Sequence, residues 1–255
     1  MSEETAPVKR SKKGKGWTIH LFPVPILIIY GMFVLYPILA ALSYSFFSFK
    51  GFTRDAFVGL DNFVTLFTTE PYGSMFRNAF SHNVLYFCIQ MVVMNGLAFL
   101  LAFIVYKKVK GAEFFKVAFF LPRLLSVIVV GFLWKLILNP NFGTLNLILG
   151  KLGLENLQRA WLGEPETALI SIILVNCWFG LGFGVLIFLA GFQSIPGELI
   201  EAARLDGAKG VSMLRKIYIP LMIPSILIMT VLTFIQSFEA FELVYAMQGS
   251  MGEPY

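Results

Sequence analysis

Charge is what this chain has least of. Only 14% of its 255 residues are Asp, Glu, Lys or Arg, against about 25% in ordinary soluble domains. A chain of this length could bury a large soluble core, but it could not then clothe that core in a polar skin. Cysteine is nearly absent too. Cys88 and Cys177 both sit inside apolar runs, which leaves no disulfide framework or metal spacing and makes both small packing residues. A phosphate-cradling loop is also missing. The G-x-x-x-x-G-K-[ST] pattern needs an upstream glycine and a following Ser or Thr, and the two Gly-Lys pairs, Gly14-Lys15 and Gly150-Lys151, have neither. No nucleophile elbow and no HExxH helix occurs. The chain carries no recognisable catalytic set, no metal site and no means of hydrolysing ATP by itself.

What it has instead is apolar length. Hydrophobic residues make up 57% of the sequence, 27 of them Phe, and the mean hydropathy is +0.76. Residues 16–49, 78–106, 167–197 and 217–238 contain no charge. Each run reaches the roughly 20 residues needed to cross a bilayer as helix. A fifth run, 117–138, holds Arg123 and Lys135 near its ends, where long side chains can snorkel to the interface. The first run far exceeds the h-region of a signal peptide, so it counts as a retained span. These features predict an all-α, polytopic transmembrane bundle with spans at about 21–46, 83–105, 117–138, 167–192 and 221–241. Pro23, Pro25 and Pro37 are expected bends in the first span. Between the first two spans, 59–67 (GLDNFVTLF) suggests a short interfacial helix.

The net charge of +5 does not point to nucleic acid, because the basic residues gather in no aromatic-laced patch. They sort by side of the membrane. Lys9, Arg10, Lys12, Lys13 and Lys15 precede the first span, Lys107, Lys108, Lys110 and Lys116 follow the second, and Arg204, Lys209, Arg215 and Lys216 follow the fourth. The opposite side receives Lys50, Arg54, Arg77, Lys151 and Arg159. Cytoplasmic loops carry the excess of Lys and Arg. The expected layout is therefore a basic cytoplasmic tail at 1–16, a transmembrane domain at 17–255 and a cytoplasmic connector at 193–220. Five spans from such a start leave the last residues outside the membrane, in what reads as mid-loop.

The connector is more elaborate than a link between spans requires. Pro196 suits a first helical turn. Glu198 and Glu201 favour the positive end of a helix dipole, and Arg204 favours the other end. Gly207 is placed to stop the helix in the left-handed conformation. A second short helix, 211–218, would lead into Pro220. From spacing alone, this is either a solvated loop or a helix-turn-helix built to dock on a soluble partner.

The residues Glu201-Ala202-Ala203, then Gly207, then Ile217-x-Ile219-Pro220 resemble the EAA loop of ABC importer permeases. The longer string IPGELIEAARLDGA resembles the carbohydrate-type branch of that family, and so do FLPRLLS, GLDNF and WFGLGFGVLIFLAGFQ. The resemblance implies the type I importer permease fold, with a sixth span beyond the point where AMQGSMGEPY ends. It implies a bacterial or archaeal cytoplasmic membrane location. It assigns the coupling role to Glu201, Ala202, Ala203, Asp206, Gly207, Ala208, Ile217 and Pro220. The implied partners are an ATP-binding cassette ATPase dimer, which would use the ATP and Mg, a second permease subunit, and a periplasmic or lipoprotein solute-binding protein. The implied cargo is a sugar or related polyol.

Candidate path-lining groups follow from polarity within the spans. Ionisable groups at membrane depth are functional candidates, which singles out Glu239 and Glu242. Asn176, Gln236 and Trp178 could offer amides and an aromatic face to a sugar ring. Glu239 and Glu242 could equally snorkel or form an ion pair between subunits, and Trp178 could be an interface anchor. Arg123, behind Pro122, is expected to face protein as a structural partner. Two other classes remain open on the residues. A proton-coupled secondary transporter could use Glu239 and Glu242 as a relay. A membrane scaffold would leave the span interiors without polar groups.

Overall fold

The computed structural model describes residues 21–107 and 109–249. The basic tail at 1–16, Lys108 and the stretch from 250 onward lie outside the described residues. The described part falls into two units divided between Arg77 and Asn78, each taken by itself.

In the first unit, helix α1 (Val24–Tyr44) begins at Pro23 and Pro25, which fit a first turn because its N–H groups have no helical acceptor. A wider, π-helical turn at Gly31–Leu35 precedes Pro37. The ring of Pro37 would crowd the carbonyl four residues back, on Phe33, and the widened turn relieves that clash. No residue of α1 is buried. The connection that follows contains a hairpin the sequence reading did not anticipate. Strand β1 (Phe47–Lys50) pairs antiparallel with β2 (Thr53–Phe57), with an irregularity between Phe47 and Phe49. The Arg54 guanidinium lies 3.6 Å above the Phe47 ring and donates to Ser43 Oγ at 3.2 Å. The short helix expected at 59–67 is α2 (Asp61–Thr68). The Asn62 amide donates to the carbonyls of Ser45 and Phe47 at 2.8 and 3.0 Å, pinning α2 to the base of the hairpin.

Helix α3 (Tyr72–Tyr106) crosses the division between the units. It starts at Tyr72 rather than at 83, because its first turns carry polar groups such as Arg77 and Asn78 that hydropathy excludes from a span. Beyond Asn78, the second unit is built around α7 (Pro165–Gln193), a single helix of 29 residues packed chiefly on α3. Small residues set that distance, as expected where helices pack in lipid without a hydrophobic driving force. Ala98 and Ala102 are fully buried on α3. On α7, a Cβ added to Gly184 would come within 2.9 Å of the Ala98 side chain of α3, and one added to Gly182 would strike the carbonyl oxygen of Phe119 in the helix packed on its other side.

The expected span at 117–138 is not one helix. It is α4 (Ala112–Leu124) and α5 (Val127–Ile137), bent by 96°. Pro122 forces a tighter final turn on α4, and Leu125 and Ser126 are extended, so the ladder breaks where the hydropathy profile shows only continuous apolar sequence. A short helix α6 (Thr144–Lys151) follows. After α7 come α8 (Gly197–Leu205) and α9 (Gly210–Leu221), and the latter meets α10 (Ile223–Phe238) at 67°. The last span also ends early: the chain breaks at Glu239–Ala240 and resumes as α11 (Phe241–Gln248). Among the described residues, three helices are long and apolar enough to cross a membrane, or up to five if each bent pair is one span. Cys177 packs in the core as expected, whereas Cys88 lies on the exposed side of α3.

The close approach at Gly182 gives a direct test. Gly182→Leu should lower stability by about 1–3 kcal/mol through overpacking against α4 backbone. Gly96→Ala, at a helical position with open space around it, should be neutral or gain up to about 1 kcal/mol. Thermal unfolding of the nanodisc-held protein distinguishes them, and equal effects would contradict this packing.

Candidate functional site

Two features carry chemistry in the second unit, and both hang on α7. The first is the connector beyond its end. Pro196 is extended and precedes α8, one residue outside the helix in which it was expected. The stop at Gly207 is as expected. Gly207 has φ +83, the Ala208 N–H donates to the Ala203 carbonyl at 2.9 Å, and the Gly207 N–H donates to the Arg204 carbonyl at 3.1 Å. That pair of bonds is the Schellman closure. The helix is two-faced. Ile200 and Ala203 are buried, while Glu198, Glu201, Ala202 and Leu205 are exposed, and Leu205 is 90% exposed. Ala203 thus supplies close packing, and Ala202 lies on the free side.

The return helix α9 is anchored by Tyr218, which is buried. Its ring meets Phe103 at 5.2 Å and Phe192 at 5.9 Å. Phe192, near the end of α7, packs in turn against Phe99, Phe103 and Tyr106 of α3. Lys107 Nζ donates to the Tyr218 hydroxyl at 3.3 Å. A π-helical turn at Leu214–Tyr218 precedes Pro220, the same device seen before Pro37. Ile217 is half-buried, and Pro220 is exposed.

The second feature is a cavity of about 590 Å³. Asn176 of α7, Gln236 of α10, and Glu239 and Glu242 at the break after α10 all line it. Four of the five sequence-predicted path residues therefore come together. Trp178 does not line it. It is 41% exposed and sits edge-on to Trp134 of α5 at 5.5 Å. Arg123 faces protein as expected, its guanidinium 4.7 Å above the Phe179 ring, and it also lines this cavity. Neither glutamate has an ion-pair partner among the described residues.

Helix α3 adds polar side chains that the sequence expectations did not include. Tyr86 lines the cavity, and its buried hydroxyl makes no well-formed hydrogen bond among the described residues. One turn along, Gln90 is fully buried and neither amide atom is paired. Asn95 donates to Thr233 Oγ1 at 3.0 Å. A buried polar group left unpaired costs about 1–3 kcal/mol; of these three side chains only Tyr86 lines the cavity, while Gln90 and Asn95 lie in the packed interior beyond it. A helical-spacing scan would have found Tyr86 and Gln90, four apart. It would have missed Asn95, because the π-helical turn at Gln90–Asn95 brings residues five apart to the buried side.

Comparisons with known proteins agree on what such an arrangement belongs to. The profile described as "Binding-protein-dependent transport system inner membrane component" matches residues 73–254. The Bacillus subtilis protein named "Probable ABC transporter permease protein YurN" is 37% identical over 235 residues, spanning 90% of this chain and 78% of that protein. The "Probable starch degradation products transport system permease protein AmyD" of Thermoanaerobacterium thermosulfurigenes is 30% identical over 224 residues, spanning 87% and 73%. The crystal structure of a bacterial alginate ABC transporter in complex with an alginate pentasaccharide-bound periplasmic protein superposes with a TM-score of 0.73. It shares 26% identity and covers 93% of this chain and 80% of its own. The fold is that of a type I importer permease, and these relatives are transport subunits rather than enzymes. The chain belongs to the family of binding-protein-dependent transport system inner membrane components.

Proposed function

We propose that this chain is the membrane-spanning permease subunit of an ATP-driven importer for a sugar or related polyol, forming half of the path beside a second permease. The observation that carries the coupling part is the two-faced α8, capped at Gly207 and seated on the spans through Ile200 and Ala203, with Glu201 left free. In this reading the ATPase dimer grips the Glu201 face. Asp206, Gly207 and Ala208 hold the turn, while Ile217 and Pro220 pass its movement to α10. The excess of basic residues in the connector and tail supports a cytoplasmic position for both, and in this reading a periplasmic or lipoprotein solute-binding protein delivers cargo on the opposite side. ATP and Mg act in the ATPase.

The carbohydrate cargo rests on what relatives such as AmyD are named for and on the cavity itself. Asn176, Gln236 and Tyr86 line it and suit hydroxyls. Family membership does not favour a proton relay through Glu239 and Glu242.

Co-purification tests the coupling. Glu201→Arg should abolish recovery of ATPase subunits with the membrane-extracted full-length protein at unchanged expression, and Gly207→Pro should do the same by blocking the left-handed turn. Retention of the ATPase by Glu201→Arg would contradict the docking role.

Transport tests the cavity. Asn176→Leu and Gln236→Leu should each lower ATP-driven uptake about tenfold, the scale of one lost hydrogen bond in a dry site, with the ATPase still bound. Uptake that is instead abolished by Glu242→Gln and driven by a proton gradient without ATP would favour the secondary transporter.

A further inference from the structure

A second cavity, of about 650 Å³, opens at the connector end of the spans. Its lining carries three cations, Lys107, Arg204 and Lys209, over an apolar floor that includes Phe103, Met213 and Tyr218. No carboxylate lines it. Among the described residues Lys107, Arg204 and Lys209 have no ion-pair partner; Lys107 donates to the Tyr218 hydroxyl and lies over the faces of Phe103 and Tyr218. Three like charges lining one cavity, with no ion-pair partner among the described residues, favour an anion there.

The position identifies the anion. Lys107 directly follows α3, and Tyr218 lies one short turn before α10. The cavity therefore opens at the level where spans leave the hydrocarbon. A free phosphate would use the three cations and leave the apolar floor uncovered. A lipid would use both, because Val211, 77% exposed at the cavity wall, extends the apolar surface outward. Basic pockets between transmembrane helices are suited to phosphate headgroups. We propose that this cavity binds the headgroup phosphate of an anionic membrane phospholipid and so ties α9 to the membrane surface. The proposal rests on the membrane-spanning reading of α3 and α10 and not on ATPase docking, so either can fail alone.

The test uses the full chain with the subunits that co-purify with it, held in nanodiscs of phosphatidylcholine with or without phosphatidylglycerol of the same acyl chains. After transfer to detergent, native mass spectrometry counts the lipids retained. Phosphatidylglycerol should be retained in preference to phosphatidylcholine. Lys107→Gln and Lys209→Gln should each weaken that retention roughly fivefold, the scale of one cation near a headgroup. Lys107→Arg and Lys209→Arg should keep it, which separates loss of charge from loss of fold. Excess inorganic phosphate should displace little of the lipid. Equal retention of both lipids, or undiminished retention in the Lys107→Gln/Lys209→Gln double variant, would overturn the proposal. So would full displacement by inorganic phosphate, which would make this a free-anion site. Exclusion of phosphatidylglycerol whenever the ATPase is bound would assign the cations to the protein partner instead.

Discussion

Phe192 ends the central helix with its ring fully buried among Phe99, Phe103, Tyr106 and Tyr218, and the connector can transmit force only if that joint is stiff. Each aromatic pair contributes about 0.5–1.5 kcal/mol beyond simple burial. Together they join the end of α3, the end of α7 and the start of the return through α9. Lys107 adds a hydrogen bond to Tyr218 and lies over two of the rings. A solvated loop would need none of this. The connector is clamped at both of its roots, and the Schellman turn at Gly207 keeps α8 and α9 from folding independently.

The same helix that ends in the joint carries Asn176 to the cavity about four turns away. In the proposed coupling, movement applied at α8 would reach the cavity through one unbroken helix on one side. On the other side it would pass through α9, Pro220 and the 67° bend into α10, which bears Gln236. The bends are where such a device can flex. The 96° break between α4 and α5 and the interruption at Glu239–Ala240 both border the cavity, through Arg123 on one and the two glutamates on the other. In lipid, irregular backbone is tolerated where it lines a cavity or is buried in protein, and these breaks are consistent with that rule.

Much of this was legible in the sequence, for reasons that differ by element. The uncharged runs revealed α1, α3 and α7 because a bilayer imposes length and apolarity together. The connector was legible because caps are chemical: Gly207 had to take positive φ, and it does. Asn176, Gln236, Glu239 and Glu242 stood out as polar groups in apolar surroundings. The breaks were not legible, since Leu125 and Ser126 leave the helix without changing hydropathy. The β-hairpin at 47–57 was passed over because Phe-Ser-Phe continues the apolar run of α1. Tyr86 and Gln90 were legible only as a pair four apart on one helical face, and hydropathy along the run does not pick out that face. Trp178 was misplaced because polarity along a helix does not say which neighbour each face meets, and its neighbour is Trp134.

The central claim is that access to the Asn176–Gln236 cavity is switched by nucleotide at a partner docked on α8. The most direct measurement is side-specific labelling of Gln236→Cys, in full-length protein with Cys88 and Cys177 replaced by Ala, assembled with its ATPase in sealed vesicles. The account predicts that ATP binding shifts labelling from reagents on one face of the membrane to reagents on the other, and that Glu201→Arg abolishes the shift. Labelling that ignores nucleotide while the ATPase stays bound would contradict it.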